Sequence, residues 1–127
     1  MEGKFVMSYI DVFVIPVPRS KREQYRAMAA LACEIWMEHG ALEYQEYLAD
    51  DVPDGEVTSF PLSVKLEDDE IVGIGYARYA SREHRDAVSD KVMADDRMAE
   101  CMDPQKLPFD GRRLIFGGFS RLLGSDG

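Results

Sequence analysis

The stretch YIDVFVIPV, Tyr9 to Val17, limits what this chain can become more than any other. Its β-branched and aromatic residues alternate as a strand does, with Ile10, Val12 and Val14 on one face and Tyr9, Asp11, Phe13 and Ile15 on the other. Both faces are apolar apart from Asp11, so both have to be covered. A strand with two hydrophobic faces needs one layer of partners above it and another below.

The segments that follow supply candidates. PVPRSKRE ends the strand, and Ser20 with Glu23 has the spacing of a capping box that opens a helix. Tyr25, Met28, Ala29, Ala32, Ile35, Trp36 and His39 then recur at helical spacing, and Gly40 stands where a left-handed cap is wanted. Ala41 to Leu48 reads as a second strand, with Leu42, Tyr44, Glu46 and Leu48 on one face. DDVPDGE at 50–56 is turn chemistry. It fails as an EF-hand loop because Val52 and Pro61 occupy ligand positions. VTSFPLSVK reads as a short extended excursion.

Ile71 to Tyr79 is the third strand, in which Gly73 and Gly75 leave one face shallow enough for a helix or ligand to approach. Ser81 caps a second helix running to about Ala94, with Ala87, Val88, Lys91 and Val92 as its inward edge. DDRMAECMD adds one or two helical turns, LPFDGRR is a loop, and Leu114 to Leu123 is the fourth strand. The expectation is a single α+β domain over residues 1–127, with a frayed tail at 124–127. Its β-α-β-β-α-β order predicts a ferredoxin-like plait, both helices covering one face of a four-stranded antiparallel sheet. The other face keeps too many apolar residues for water, which predicts a homodimer joined sheet to sheet.

Composition narrows the function classes. A net charge of -9 over 127 residues argues against nucleic acid, and the basic clusters RSKREQYR and GRR are short. Cys33 and Cys101 lack CxxC spacing, so neither a disulfide framework nor a zinc knuckle is expected, and a cytoplasmic setting fits. The apolar run near the N-terminus is too short to span a bilayer and lacks a signal cleavage site. No metal site, cofactor or phosphate-binding loop is indicated. Gly117-Gly118 precedes no helix start, and paired glycines in a strand mark a bulge, a bend or a close approach.

The motifs EHGALEY, DDVPDGEVTSFP, HRDAV.DKVMADDR and PFDGRRLIFGGF resemble the YbaA-like family of small bacterial proteins of unknown function, over nearly the whole chain from Met7 to Leu122. The resemblance implies the dimeric α/β-barrel fold and a chain start near Met7, which makes residues 1–6 an extension. Tyr76 departs from it, since relatives carry tryptophan there. No reaction comes with the family. The wider superfamily includes monooxygenases, haem-degrading enzymes, isomerases and proteins that only bind, with ligands held between sheet and helices.

The candidate chemical residues each have two readings. His39 is a base or ligand, or a helix-terminal imidazole that complements the dipole. Asp11 and Glu46 sit in apolar strand faces with Arg78 as their natural counter-charge, as a structural ion pair, a dimer contact or an acid–base group. Trp36 either packs the core or touches a ligand. Asp11, Tyr76 and His84 match the order of polar, aromatic and histidine residues in the haem-degrading relatives, whereas His84 also reads as a first-turn residue partly in solvent. The expected function is homodimeric binding of a small organic molecule, with or without its transformation. The rival is a non-catalytic assembly module.

Overall fold

A computed structural model describes residues 8–125. The expected extension at 1–6 and the end of the expected tail, 126–127, lie outside the described residues. Four strands form one antiparallel sheet in the order β2-β3-β1-β4: β1 is Tyr9–Pro18, β2 Glu43–Leu48, β3 Glu70–Tyr79 and β4 Ile115–Ser120. Helices α1 (Arg22–Glu38), α3 (Arg82–Met93) and α4 (Asp96–Cys101) cover one face. One short turn of helix, α2 (Phe60–Ser63), lies on the other.

The two-faced pattern of β1 explains this arrangement. Phe13, Ile15 and Val17 pack towards the helices, where Ile15 and Val17 meet Tyr25 and Phe109. Val14 points the other way, into a cluster with Val64 and Val72 beneath the α2 excursion. A second cluster on the helix side joins Ala32 and Ile35 of α1 to Ala77 and Tyr79 of β3 and to Val88, Val92 and Met98. The outer face is covered only in part. Tyr47, Ile74, Ile115 and Phe119 lie on it, with Tyr47 57% and Phe119 56% exposed.

Local signals were honoured unevenly. Gly40 takes φ +114°, and the Ala41 and Gly40 amides donate to the Trp36 and Met37 carbonyls at 3.0 and 3.2 Å, the paired bonds of a Schellman cap. Ser81 caps α3 by accepting from the His84 amide. The capping box at Ser20 and Glu23 does not form. A 3-10 turn over Arg19–Lys21 displaces the start of α1 to Arg22, and the Ser20 hydroxyl donates instead to Asp69 at 3.1 Å. The excursion expected to be extended is the helical turn α2, because Ser59 accepts from the Leu62 amide and Pro61 suits a first turn. On α3 only Val88 and Val92 of the expected inward edge are buried; Ala87 and Lys91 face outward. β4 is also shorter than the expected 114–123.

One ion pair ties the loop before β4 to the start of β3. Arg113 grips Glu70 through two bonds of 2.7 and 2.6 Å, and also donates to the Val64 and Lys65 carbonyls. Glu70 is only 6% exposed, and the guanidinium holds its carboxyl below the usual glutamate range. Removing one partner strands the other charge, so Arg113→Ala should lower stability by about 3 kcal/mol in urea melts. A depressed carboxylate stabilises above its unfolded pKa and loses that contribution as pH falls through the folded value. The Glu70→Gln variant should therefore show a shallower loss of stability between about pH 5 and about pH 3 than the parent chain; identical slopes would exclude Glu70 as the source.

Candidate functional site

The helix layer does not fill the space above the sheet. A cavity of about 510 Å³ lies between β1, β2, β3 and the helices α1, α3 and α4. Small side chains open it: Ala32 on α1 and Ala77 on β3 line its walls. Gly75 contributes indirectly, since a Cβ there would overlap the ring of Phe13 and stand 2.9 Å from the Gln45 carbonyl oxygen. The missing Cβ leaves room for the Phe13 ring over Gly75, where it forms part of the wall. Met28, Met93, Met98 and Met102 supply flexible apolar surface. The exposed Met93 and Phe116 stand at the mouth.

Two polar groups interrupt this lining. Strand alternation turns Glu46 of β2 inward, where its Oε1 accepts from the Tyr25 hydroxyl and its Oε2 from the Tyr44 hydroxyl at 2.8 Å. Burial, with the neighbouring Glu46 carboxylate, pushes both phenols far above the ordinary tyrosine range, so they remain donors. On β1, Asp11 faces Arg85 of α3 at 2.5 Å. Arg85 also pairs with Asp86 at 2.8 Å and lies over the Tyr9 ring, 4.9 Å from its centroid. Gly118 makes room for this stack, because a Cβ there would meet Tyr9 and stand 2.8 Å from the guanidinium. The second glycine of the Gly117-Gly118 pair thus marks a close approach.

Of the residues singled out from the sequence, Asp11, Glu46 and Trp36 line this cavity. Trp36 packs with its ring centroid 5.8 Å from that of Tyr44, and its Nε1 donates to the Tyr79 hydroxyl at 2.9 Å. Arg78 and Tyr76 do not reach the cavity. Asp11 pairs in register with Ala77, so the neighbouring Tyr76 and Arg78 occupy the outer face. There Arg78 bonds Glu43 at 3.1 Å and the Tyr76 hydroxyl bonds Glu43 at 2.8 Å. The expected pairing of Arg78 with Asp11 and Glu46 is corrected accordingly, and Arg85 holds that role for Asp11.

His39 forms the C-terminal cap of α1, and its Nε2 meets Asp95 at 2.8 Å. Asp95 also binds Arg97, which reaches back to Glu38. The histidine therefore belongs to a clamp between α1 and α4. The Nδ1 of His84 accepts from the Ala80 amide at 3.0 Å, and its ring stands edge-on to Tyr79. Asp11, Tyr76 and His84 do not converge. Sequence reasoning missed Tyr25 as a cavity residue and missed Arg85 altogether. Arg85, Ser89 and Met93 all line the cavity at four-residue spacing on α3, a stripe that a mixed polar sequence disguises. Among the described residues, no group of three or more His, Cys, Asp or Glu could hold a metal ion, and no helix is long and apolar enough to cross a membrane.

An open antiparallel sheet with a helix-covered cavity defines an α+β protein. Residues 8–111 match the family described as a protein of unknown function, DUF1428, and the chain belongs to that family. The chain is 46% identical over 117 residues to the uncharacterized protein YbaA of Escherichia coli K12, covering 92% of this chain and 98% of the relative. The same values hold for the YbaA of Shigella flexneri. Among solved structures, the de novo designed protein Foldit4 aligns with 92% of this chain and 99% of its own, at 8% identity and a TM-score of 0.44, too distant to define a shared fold.

The tyrosines give a test that needs no ligand. Burial also raises the Tyr79 phenol above its ordinary range. A raised phenol stabilises fully below the unfolded pKa, about 10, and loses that contribution as pH rises past it. In an alkaline titration, the phenolate absorbance of Tyr25, Tyr44 and Tyr79 should appear only together with loss of the far-ultraviolet dichroism. Formation of these three phenolates in a folded chain would contradict the assignment. Tyr25→Phe should cost about 1.5–3 kcal/mol, the range for a hydrogen bond to a charged group.

Proposed function

We propose that this protein is a cytosolic, single-domain homodimer that binds a small organic molecule in the cavity of each protomer. The observation that carries the reading is a largely apolar cavity whose wall holds the Glu46 carboxylate between two phenols. Ligand pockets usually combine such volume with a few convergent polar groups. A volume of about 510 Å³ suits a molecule of metabolite size.

The strand order β2-β3-β1-β4 with helices on one face supports the ferredoxin-like plait expected from the sequence. The exposed Tyr47, Ile74, Ile115 and Phe119 on the outer face support the dimer, since a second copy of the same sheet would cover them. In this arrangement Arg78, Tyr76 and Glu43 sit at or near the contact between copies and set its register. That would give those polar residues an assembly role.

Light scattering at micromolar concentration should report twice the chain mass, and Phe119→Asp should shift it towards one. A monomeric parent chain would remove the dimer. For the cavity, the uncharged fluorophore aminoanthracene should brighten saturably on binding. That signal should be lost in Ala32→Leu, whose extra carbons occupy the space, while the variant keeps its dichroism. No signal from the parent chain, or an undiminished one from the variant, would place the ligand elsewhere or nowhere. The non-catalytic assembly module then becomes the better reading.

A further inference from the structure

The cavity has an electrostatic preference, and the following rests on its being a ligand site. We infer that it selects a small apolar molecule bearing a protonated amine, with the ammonium group seated against Glu46.

The charges at the wall point that way. The lining holds three carboxylates, Asp11, Glu46 and Asp86, and one guanidinium, Arg85, so it is net negative. Arg85 is already engaged by Asp11 and Asp86. It has little field left to attract an anionic ligand. Glu46 stands apart from that pair. Its partners are two neutral phenols, and among the described residues no cationic side chain pairs with it. A carboxylate in an apolar wall is costly when hydrogen-bonded but without a counter-charge. Each of its oxygens accepts one tyrosine bond and keeps a second lone pair free for a further donor. An ammonium group provides both the donors and the missing charge.

The aromatic wall favours the same occupant. Trp36, Tyr44 and Phe13 form a continuous run, with ring centroids 5.8 and 6.2 Å apart. Tyr44 also holds Glu46, which places this run beside the carboxylate. Aromatic faces attract cations through their quadrupole, and more strongly where water is excluded. They would hold the apolar body of a neutral ligand equally well, so the preference for a cation depends on Glu46. Tyr25 and Tyr44 both donate to the carboxylate. They also fix its orientation without supplying positive charge.

Calorimetric titration of the full chain near neutral pH separates the alternatives, using phenethylamine, phenethyl alcohol and phenylacetate. These share one apolar body and differ in charge. The amine should bind at least about tenfold more tightly than the alcohol, whose hydroxyl can donate to Glu46 but brings no counter-charge, and phenylacetate more weakly than either. Glu46→Gln should bring the amine down to the affinity of the alcohol and weaken the alcohol far less, since the amide oxygen still accepts from its hydroxyl. Equal or tighter binding of the alcohol or phenylacetate by the parent chain overturns the inference, whether or not the variant folds. So does undiminished amine binding by a folded Glu46→Gln. If aminoanthracene binds and the amine has no advantage, only the charge preference falls. If neither aminoanthracene nor any of the three binds, the ligand site itself falls with it.

Discussion

The structure depends on β1 being buried from both sides. It pairs with β3 along one edge and β4 along the other, which satisfies its backbone groups. Its side chains then require two separate apolar layers. The helices meet Phe13, Ile15 and Val17, and the α2 excursion meets Val14. The placement of the other strands follows, because β3 and β4 take their register from this one. A substitution on either face of β1 is felt in a different layer.

That dependence makes Asp11 informative. A carboxylate on the helix-facing side of the central strand has to be paired, and the partner comes from the helix layer as Arg85. Tyr9 and Gly118 complete the setting, one by stacking and the other by leaving space. Glu46 solves the same problem with hydrogen bonds and no cation. Two inward carboxylates on neighbouring walls are thus compensated differently, and the difference gives the cavity its electrical character. Its volume comes from Ala32 and Ala77, where larger residues would have closed the core.

Much of this was legible before any coordinates. Alternation placed Asp11 and Glu46 as acidic residues within apolar strand faces, and helical spacing placed Trp36 on the buried stripe. Arg78 and Tyr76 show the limit. Period-two alternation sorts residues within one strand, but it does not say which face of that strand matches which face of the next. Only the register of Asp11 with Ala77 puts Arg78 on the far side. The capping box at Ser20 shows another limit, since the hydroxyl had a long-range partner in Asp69 that spacing cannot reveal.

The sequence by itself determined the four strands and the two longer helices, the left-handed stop at Gly40, the two apolar faces of β1 and the family. These follow from local chemistry and periodicity, which act between neighbours along the chain. Tertiary structure alone decided that Arg85 answers Asp11, that Tyr25 from α1 meets Glu46 from β2, and that His39 serves a clamp between helices. Each of those contacts joins residues far apart in the chain. Pairings of that kind depend on strand register and helix rotation, which packing sets for the whole fold at once.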